Sequence, residues 1–348
     1  SQARSSSDAG AAAGSGLMRA LVLGVGAVGT RLARQFVSSS DVESVRLRDE
    51  RVERVRAVAL SLGERAVVDT DPYEAEADVD VVALAGPAGT HRRAAEVFLR
   101  RGIPVVSVSD AVDDVRGLLD LDAEARERGV SVVVGAGFAP GLSCVLARHA
   151  AARYDEVEEV HVARTGTGGP ACARHHHKAL AGPALDWRDG GWVHRSGGSG
   201  RELCWFPDPI GAQDCYRAAL PDALLLIGAF PEAQRITARM AANRRDRLTA
   251  RLPMLWPTHP EGGPGALRVE VRGRRGNSRD VTVVGALDRP AVATGAVAAV
   301  AARLAVTGGL ARSGAAGLAE LAEPVPVLAE LRRRGVRAAV LEGASANV

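Results

Sequence analysis

Residues Arg19–Asp49, RALVLGVGAVGTRLARQFVSSSDVESVRLRD, carry the reading that decides the fold. Ala20 to Leu23 is a short continuous apolar run, the pattern of a strand buried on both faces. It passes directly into Gly24-Val25-Gly26-Ala27-Val28-Gly29, and a helical pattern follows with Leu32, Phe36 and Val37 on one face. In such a strand–turn–helix, Gly24 permits the tight turn, Gly26 lets backbone N–H groups approach a pyrophosphate, and Gly29 lets the helix pack on the strand. Ala27 and Val28 open the helix, whose free N–H groups and positive dipole end suit phosphate. A second strand, Val45 to Arg48, ends at Asp49, about 20 residues past the third glycine, where a carboxylate reaches the adenine ribose hydroxyls. Strand, turn, helix, second strand and acid in one register predict a dinucleotide site, NAD or NADP.

Working outward, the chain continues with a helix over Val52 to Leu62, a short strand at Ala66 to Val68, an acidic turn region over Asp69 to Ala77, and a buried strand at Val79 to Leu84. That strand opens onto Gly86-Pro87-Ala88-Gly89-Thr90-His91, the carboxyl end at which ligands collect in a doubly wound sheet. Gly86 and Pro87 are therefore expected beside the cofactor, with Thr90 as N-cap of a helix to Arg101. His91 is a candidate substrate contact, although a histidine in a first helical turn is more often a solvated surface group. Strand Val105-Val106 leads to Ser107-Val108-Ser109-Asp110, an amphipathic helix spans Val112 to Arg128, and Val130 to Val134 is a further strand. Strands and helices alternating at this spacing predict a parallel sheet.

Composition narrows the function. The 348 residues suffice for two domains, and the net charge of +3 is spread along the chain, so no basic block points to nucleic acid or a membrane anchor. No apolar run reads as long enough to span a bilayer. Residues 1–17, rich in Ser, Ala and Gly, read as a disordered leader, and Met18 as a candidate natural start. Cys144, Cys172, Cys204 and Cys215 form no CxxC pair, which fits reduced thiols and a cytoplasmic location. Among 44 basic residues Lys178 is the single lysine. Arginine replaces a solvating lysine freely but not one whose compact ammonium must fit a pocket.

The strand at Val130 to Val134 ends in Gly135-Ala136-Gly137-Phe138-Ala139-Pro140-Gly141-Leu142-Ser143. This GAGFAPGLS run, preceded by GIPVVSVSD and GVSVVVGAG in order, resembles the G-x-G-x-x-PG turn of the saccharopine dehydrogenase and saccharopine reductase superfamily. The resemblance covers Arg19 to Ala150 well, the stretch from about Leu287 more weakly, and the middle only in outline. It implies an α/β protein: a doubly wound parallel Rossmann sheet with a second α+β domain built on a largely antiparallel sheet. The expected bounds are 18–150 for the nucleotide domain, 151–287 for a substrate-binding and dimerisation domain, and 288–348 for a tail of helices and a last strand returning to the first domain. A homodimer follows from the same resemblance, with the apolar segment Leu220 to Phe230 of a kind that packs at an interface.

Physically, Pro140 and Gly141 halt a strand and start a helix whose N-terminus is expected to face the cleft, with Ser143 offering a hydroxyl to an anionic group. Gly137, Pro140 and Ser143 are thus candidate substrate contacts. In the middle segment, RVEVR (Arg268 to Arg272) alternates as a half-exposed antiparallel strand should, and Asp280 to Gly285 can pair with it. Arg164-Thr165-Gly166-Thr167-Gly168-Gly169-Pro170 leads to Ala171-Cys172-Ala173-Arg174-His175-His176-His177-Lys178. Substrates of the resembled kind are amino acids joined through a secondary amine. Arg164 or Arg174 can bind a carboxylate bidentately, and His177 or Lys178 can move the amine proton. Three consecutive histidines diverge by about 100° each on a helix, and no acidic or cysteine partner is read at ligand spacing, so no metal is expected. The roles of His175 and His176 stay open, a buried structural histidine being the competing reading.

Elsewhere, Arg201 to Tyr216 gathers Trp205, Phe206 and Tyr216 either as a cleft wall or as small-domain core. Met240 to Arg251 reads as a charged surface helix, and Pro290 to Ala305 as a buried Ala/Val helix. Asp49 argues for NAD, whereas Arg48 and Arg51 are placed to bind a 2′-phosphate. The leading expectation is an NAD(P)-dependent oxidoreductase acting on a C–N bond of an amino-acid-derived substrate. A homospermidine-synthase-like or carbonyl-reducing activity, and a nucleotide-binding sensor without catalysis, are the alternatives.

Overall fold

The computed structural model describes residues 17–340 except 73, 74, 76 and 255–258; the leader expected over residues 1–17 lies, up to residue 16, outside them. The first sheet is wholly parallel. Strand β1 (Met18–Leu23) is followed by α1 (Ala27–Val37), β2 (Val42–Arg48), α2 (Val52–Leu62), β3 (Ala66–Val68), β4 (Val81–Leu84), α3 (His91–Leu99) and β5 (Val105–Ser107). Next come α4 (Val112–Leu119), α5 (Asp122–Glu127), β6 (Ser131–Val133) and α6 (Leu142–Ala151). The strand order is β15-β6-β5-β4-β1-β2-β3, where β15 (Gly314–Ala316) is a late addition from the C-terminal part. The chain leaves β1 in one direction through β2 and β3 and resumes at β4 on its other side. That reversal makes a crevice at the carboxyl ends of β1 and β4. Ala20 to Leu23 and Val81 to Leu84 are fully buried, as unbroken apolar runs between two helical layers should be.

The second sheet begins with β7 (Glu156–Thr165), α7 (Pro170–Ala179), β8 (Pro183–Arg188) and β9 (Gly191–Ser196). It goes on through β10 (Glu202–Phe206), β11 (Gly211–Arg217), α8 (Asp222–Leu226), β12 (Arg235–Ala241), α9 (Arg244–Thr249), β13 (Gly265–Arg275) and β14 (Ser278–Asp288). Its order is β10-β11-β12-β7-β13-β14-β16, antiparallel apart from the β12–β7 pair. Strand β16 (Arg337–Val340) is its last member. The tail therefore returns to both sheets. It reaches the first through α10 (Pro290–Thr307) and β15, passes α11 (Leu318–Leu321) and α12 (Pro324–Arg333), and closes on the second sheet rather than the first. Helix α10 is long and apolar enough to cross a membrane by length and composition, unlike the expectation, but it is mostly buried inside the protein. It lies against α1, where a Cβ on Gly295 would stand 2.8 Å from the backbone of Leu32.

Several expectations change with the packing. The span Val112 to Arg128 is two helices, broken at Asp120 and Leu121. Met240 belongs to β12, and only Arg244–Thr249 is helical in the charged stretch. RVEVR sits at the centre of the sheet between β7 and β14, with Glu270 buried between Arg268 and Arg272. Leu220, Leu225, Leu226 and Phe230 are core residues of the chain itself, and Leu224 and Ile227 are partly buried against them. Phe206 and Tyr216 are likewise buried, while Trp205 on the edge strand β10 is 65% exposed and away from the cleft.

Candidate active site

The cleft between the sheets is a cavity of about 810 Å³. Its first wall is the turn after β1. Gly24 has φ +93°, and a Cβ on Gly29 would stand 1.8 Å from the Gly24 carbonyl oxygen, so the turn and α1 fit only with hydrogen at that position. A Cβ on Gly26, by contrast, would meet no protein atom within 4 Å. The space above the start of α1 is open, and no side chain caps that helix. Those free N–H groups and that open space fit a pyrophosphate. Ala27, Val28, Gly86, Pro87 and Arg51 line the same cavity. Asp49 braces the turn: its Oδ2 accepts from the Val25 N–H at 2.8 Å and its Oδ1 from the Arg51 N–H at 3.0 Å. Arg48 is not available to a 2′-phosphate. Its guanidinium is buried against Asp69 at 2.8 Å and donates to the Ala75 carbonyl at 2.6 Å.

The opposite wall comes from the second domain. Gly169 ends the glycine loop with φ +128°, and a Cβ there would lie 2.8 Å from the Ala27 Cβ. This close approach sets α7, begun by Pro170, beside the start of α1. Arg164, at the end of β7, is 4% exposed. Its Nη1 donates to the Ala139 carbonyl and pairs with Asp110 at 3.2 Å, while Nε and Nη2 have no hydrogen-bond partner among the described residues. Asp110, from the end of β5, also accepts from His176 Nε2 at 2.7 Å, and His175 Nε2 lies 3.7 Å from its other oxygen. Cys172 Sγ is 3.4 Å from His176 Nε2. Burial opposes the Asp110 charge, but the neighbouring His176 ring and Arg164 guanidinium hold its carboxyl well below the usual carboxylate range. Burial, and then the Arg164 charge, push His176 below the ordinary histidine value, so at neutral pH it is a neutral imidazole donating Nε2–H to a carboxylate. Burial raises the Cys172 thiol to about 12.

Of the residues expected for catalysis or substrate binding, Gly137, Arg164, Arg174 and Lys178 line the cavity, the last two with exposed side chains. Four do not. His177 turns away, its Nε2 2.7 Å from the Thr249 carbonyl, because neighbours on a helix diverge by about 100°. His91 is neither solvated nor on the cavity; 1% exposed, it lies between Ser107 Oγ at 2.9 Å and the Gly86 carbonyl at 3.1 Å and braces the turn after β4 from behind. Ser143 is fully buried and donates to Asp222 Oδ1 at 2.9 Å, because α6 runs inward under the second sheet. Pro140 is buried and packs on Gly135. The sequence reading missed Asp110 and Cys172 and left His176 open. It found no acid or cysteine at ligand spacing, yet the three bring one ligand atom each within 4.8 Å of one another. The available signals were Cys172 and His176 four apart on a helix, and Asp110 at the carboxyl end of a strand.

Residues 18–139 match the family described as "Oxidoreductase family, NAD-binding Rossmann fold". Among solved structures, the apo L-Glu-forming saccharopine dehydrogenase of Saccharomyces cerevisiae is similar with a TM-score of 0.67 at 15% identity, over 93% of this chain and 100% of that one. A "probable dehydrogenase" of Thermotoga maritima reaches 0.50 at 13% identity, over 93% and 99%. The resemblance read at GAGFAPGLS thus holds for the whole fold, the middle included. The first domain is an NAD-binding Rossmann domain, and the coarse assignment as an NAD(P)-dependent oxidoreductase follows.

Proposed function

We propose that this chain catalyses hydride transfer at a C–N bond of a carboxylate-bearing, amino-acid-derived substrate, reducing an imine or oxidising the secondary amine back. The observation that carries the reading is Arg164, buried on the cavity wall with two unpartnered guanidinium nitrogens, opposite an open dinucleotide turn. Unsatisfied buried N–H donors favour an acceptor ligand, and the fork geometry of arginine favours a carboxylate. Gly26, Ala27, Val28, Gly86 and Pro87 would hold the dinucleotide, and Asp49 favours NAD through the ribose hydroxyls. When bound, the nicotinamide supplies or accepts hydride.

The chain's own groups do the rest. Arg164 orients the carboxylate, with Arg174 at the rim as a second anchor. His176, held by Asp110, takes a proton from solvent to become imidazolium and passes its Nε2 proton to the nitrogen as the C=N bond takes up hydride; in the reverse direction the neutral ring accepts the amine proton. Lys178 places an ammonium at the cavity mouth. On the same reading the enzyme works in the cytoplasm as a homodimer, with neither nucleic acid nor a membrane as partner. The test is NADH consumption with keto acids or aldehydes, each with and without an amine or amino acid. Turnover that requires both partners, and that falls about a hundredfold in His176→Gln, supports the proposal. Turnover with the carbonyl compound alone replaces it by carbonyl reduction.

A further inference from the structure

The group beside Arg164 has a second chemistry. Cys172 and His176 are one turn apart on α7 and point the same way, and Asp110 reaches them from the other domain. All three line the cavity. One sulfur, one imidazole nitrogen and one carboxylate oxygen form a donor set that suits Zn2+ or Co2+ and not Mg2+ or Ca2+. Three protein donors on the wall of an open cleft leave the fourth position to solvent, as in open zinc sites.

We propose that Asp110, Cys172 and His176 form an inhibitory site for a transition-metal dication such as Zn2+. Ligation by Nε2 takes the nitrogen that the proposed reaction uses for its proton, so metal binding and turnover exclude each other. The inference rests on that reading of His176. Tetrahedral ligation needs N and O donors roughly 3.3 Å apart, so the 2.7 Å His176–Asp110 contact must open slightly, which a turn of the Asp110 side chain achieves. Cys172 gives up its thiol proton to solvent on ligation. The Arg164 guanidinium, 3.2 Å from Asp110, repels a dication and keeps the site reversible.

The experiment titrates the full chain with Co2+ and follows the near-ultraviolet thiolate-to-cobalt charge-transfer band, with NADH binding followed in parallel by fluorescence. The expected result is a band that Zn2+ abolishes and Mg2+ does not, that is missing in Cys172→Ser, and a Zn2+ requirement for inhibition raised about tenfold or more in that variant, since even outer partners of metal sites cost that much. A missing band in protein that binds NADH overturns the metal site and leaves the functional reading standing. A band that persists in Cys172→Ser overturns it as well. Protein that shows the band but binds no NADH leaves the metal site in place and removes the inhibition with the functional reading.

Discussion

The two walls of the cleft are built from different material. The nucleotide wall is backbone: a turn in which hydrogen at Gly29 admits the helix and open space at Gly26 admits a ligand. The proposed substrate wall is side chain: Asp110, Arg164 and His176 arrive from three separate stretches and meet only because the two domains close on each other. A backbone site is written in local spacing, which survives when the rest of the chain changes. A side-chain site is written in tertiary contacts, which leave little trace in spacing.

That contrast can be broken most violently at Gly29. Gly29→Val puts carbon where only 1.8 Å is free to the Gly24 oxygen, and should cost more than about 4 kcal/mol of stability, read as a collapsed Tm together with loss of NADH binding. A stable, NADH-binding variant would show that the turn is not set by that contact. Arg48→Ala comes next. It strands Asp69 without its buried partner and should cost about 3–5 kcal/mol, while the preference between NADH and NADPH in the surviving folded fraction stays as it was. A changed preference would return Arg48 to the nucleotide site.

On the other wall, Arg164→Met should lower kcat/KM for carboxylate-bearing substrates by about 1.5–3 kcal/mol, roughly 10- to 150-fold, mostly through KM. Equal loss with a substrate lacking the carboxylate would assign Arg164 to architecture. The smallest effect concerns pH. Burial holds His91 below the ordinary 6.5, so as pH falls below that value the unfolded chain takes up a proton that the folded chain refuses. Its contribution to stability is complete above 6.5 and is lost as pH falls toward the depressed value, at a slope of up to about 1.4 kcal/mol per pH unit. His91→Gln should flatten the acid side of the stability curve. An unchanged slope would place His91 in solvent.

Legibility followed the same division. The bounds of α2 and β3 and the run from Gly24 to Asp49 were readable because apolar period and glycine spacing are local properties. On the other wall the sequence named the loop that lines the cavity, and with it Arg164 and Lys178, but it also named His177, which turns away. His176 and His177 are adjacent, and only the partners Asp110 and Thr249, distant in sequence, decide which faces the cleft. Ser143 misled for a related reason: a hydroxyl in a first helical turn suits a ligand's carboxylate and the buried Asp222 carboxyl equally well.

The central claim is that one cleft joins a backbone-made dinucleotide site to a side-chain-made substrate site. Its most direct measurement is an NADH fluorescence titration of the wild type, Gly26→Ala and Arg164→Met, each checked for an unchanged Tm. The account predicts binding by the wild type, binding weakened about tenfold or more, 1.4 kcal/mol, by the methyl at Gly26, and binding unaltered in Arg164→Met. Wild-type affinity in Gly26→Ala, or no binding by the folded wild type, contradicts it.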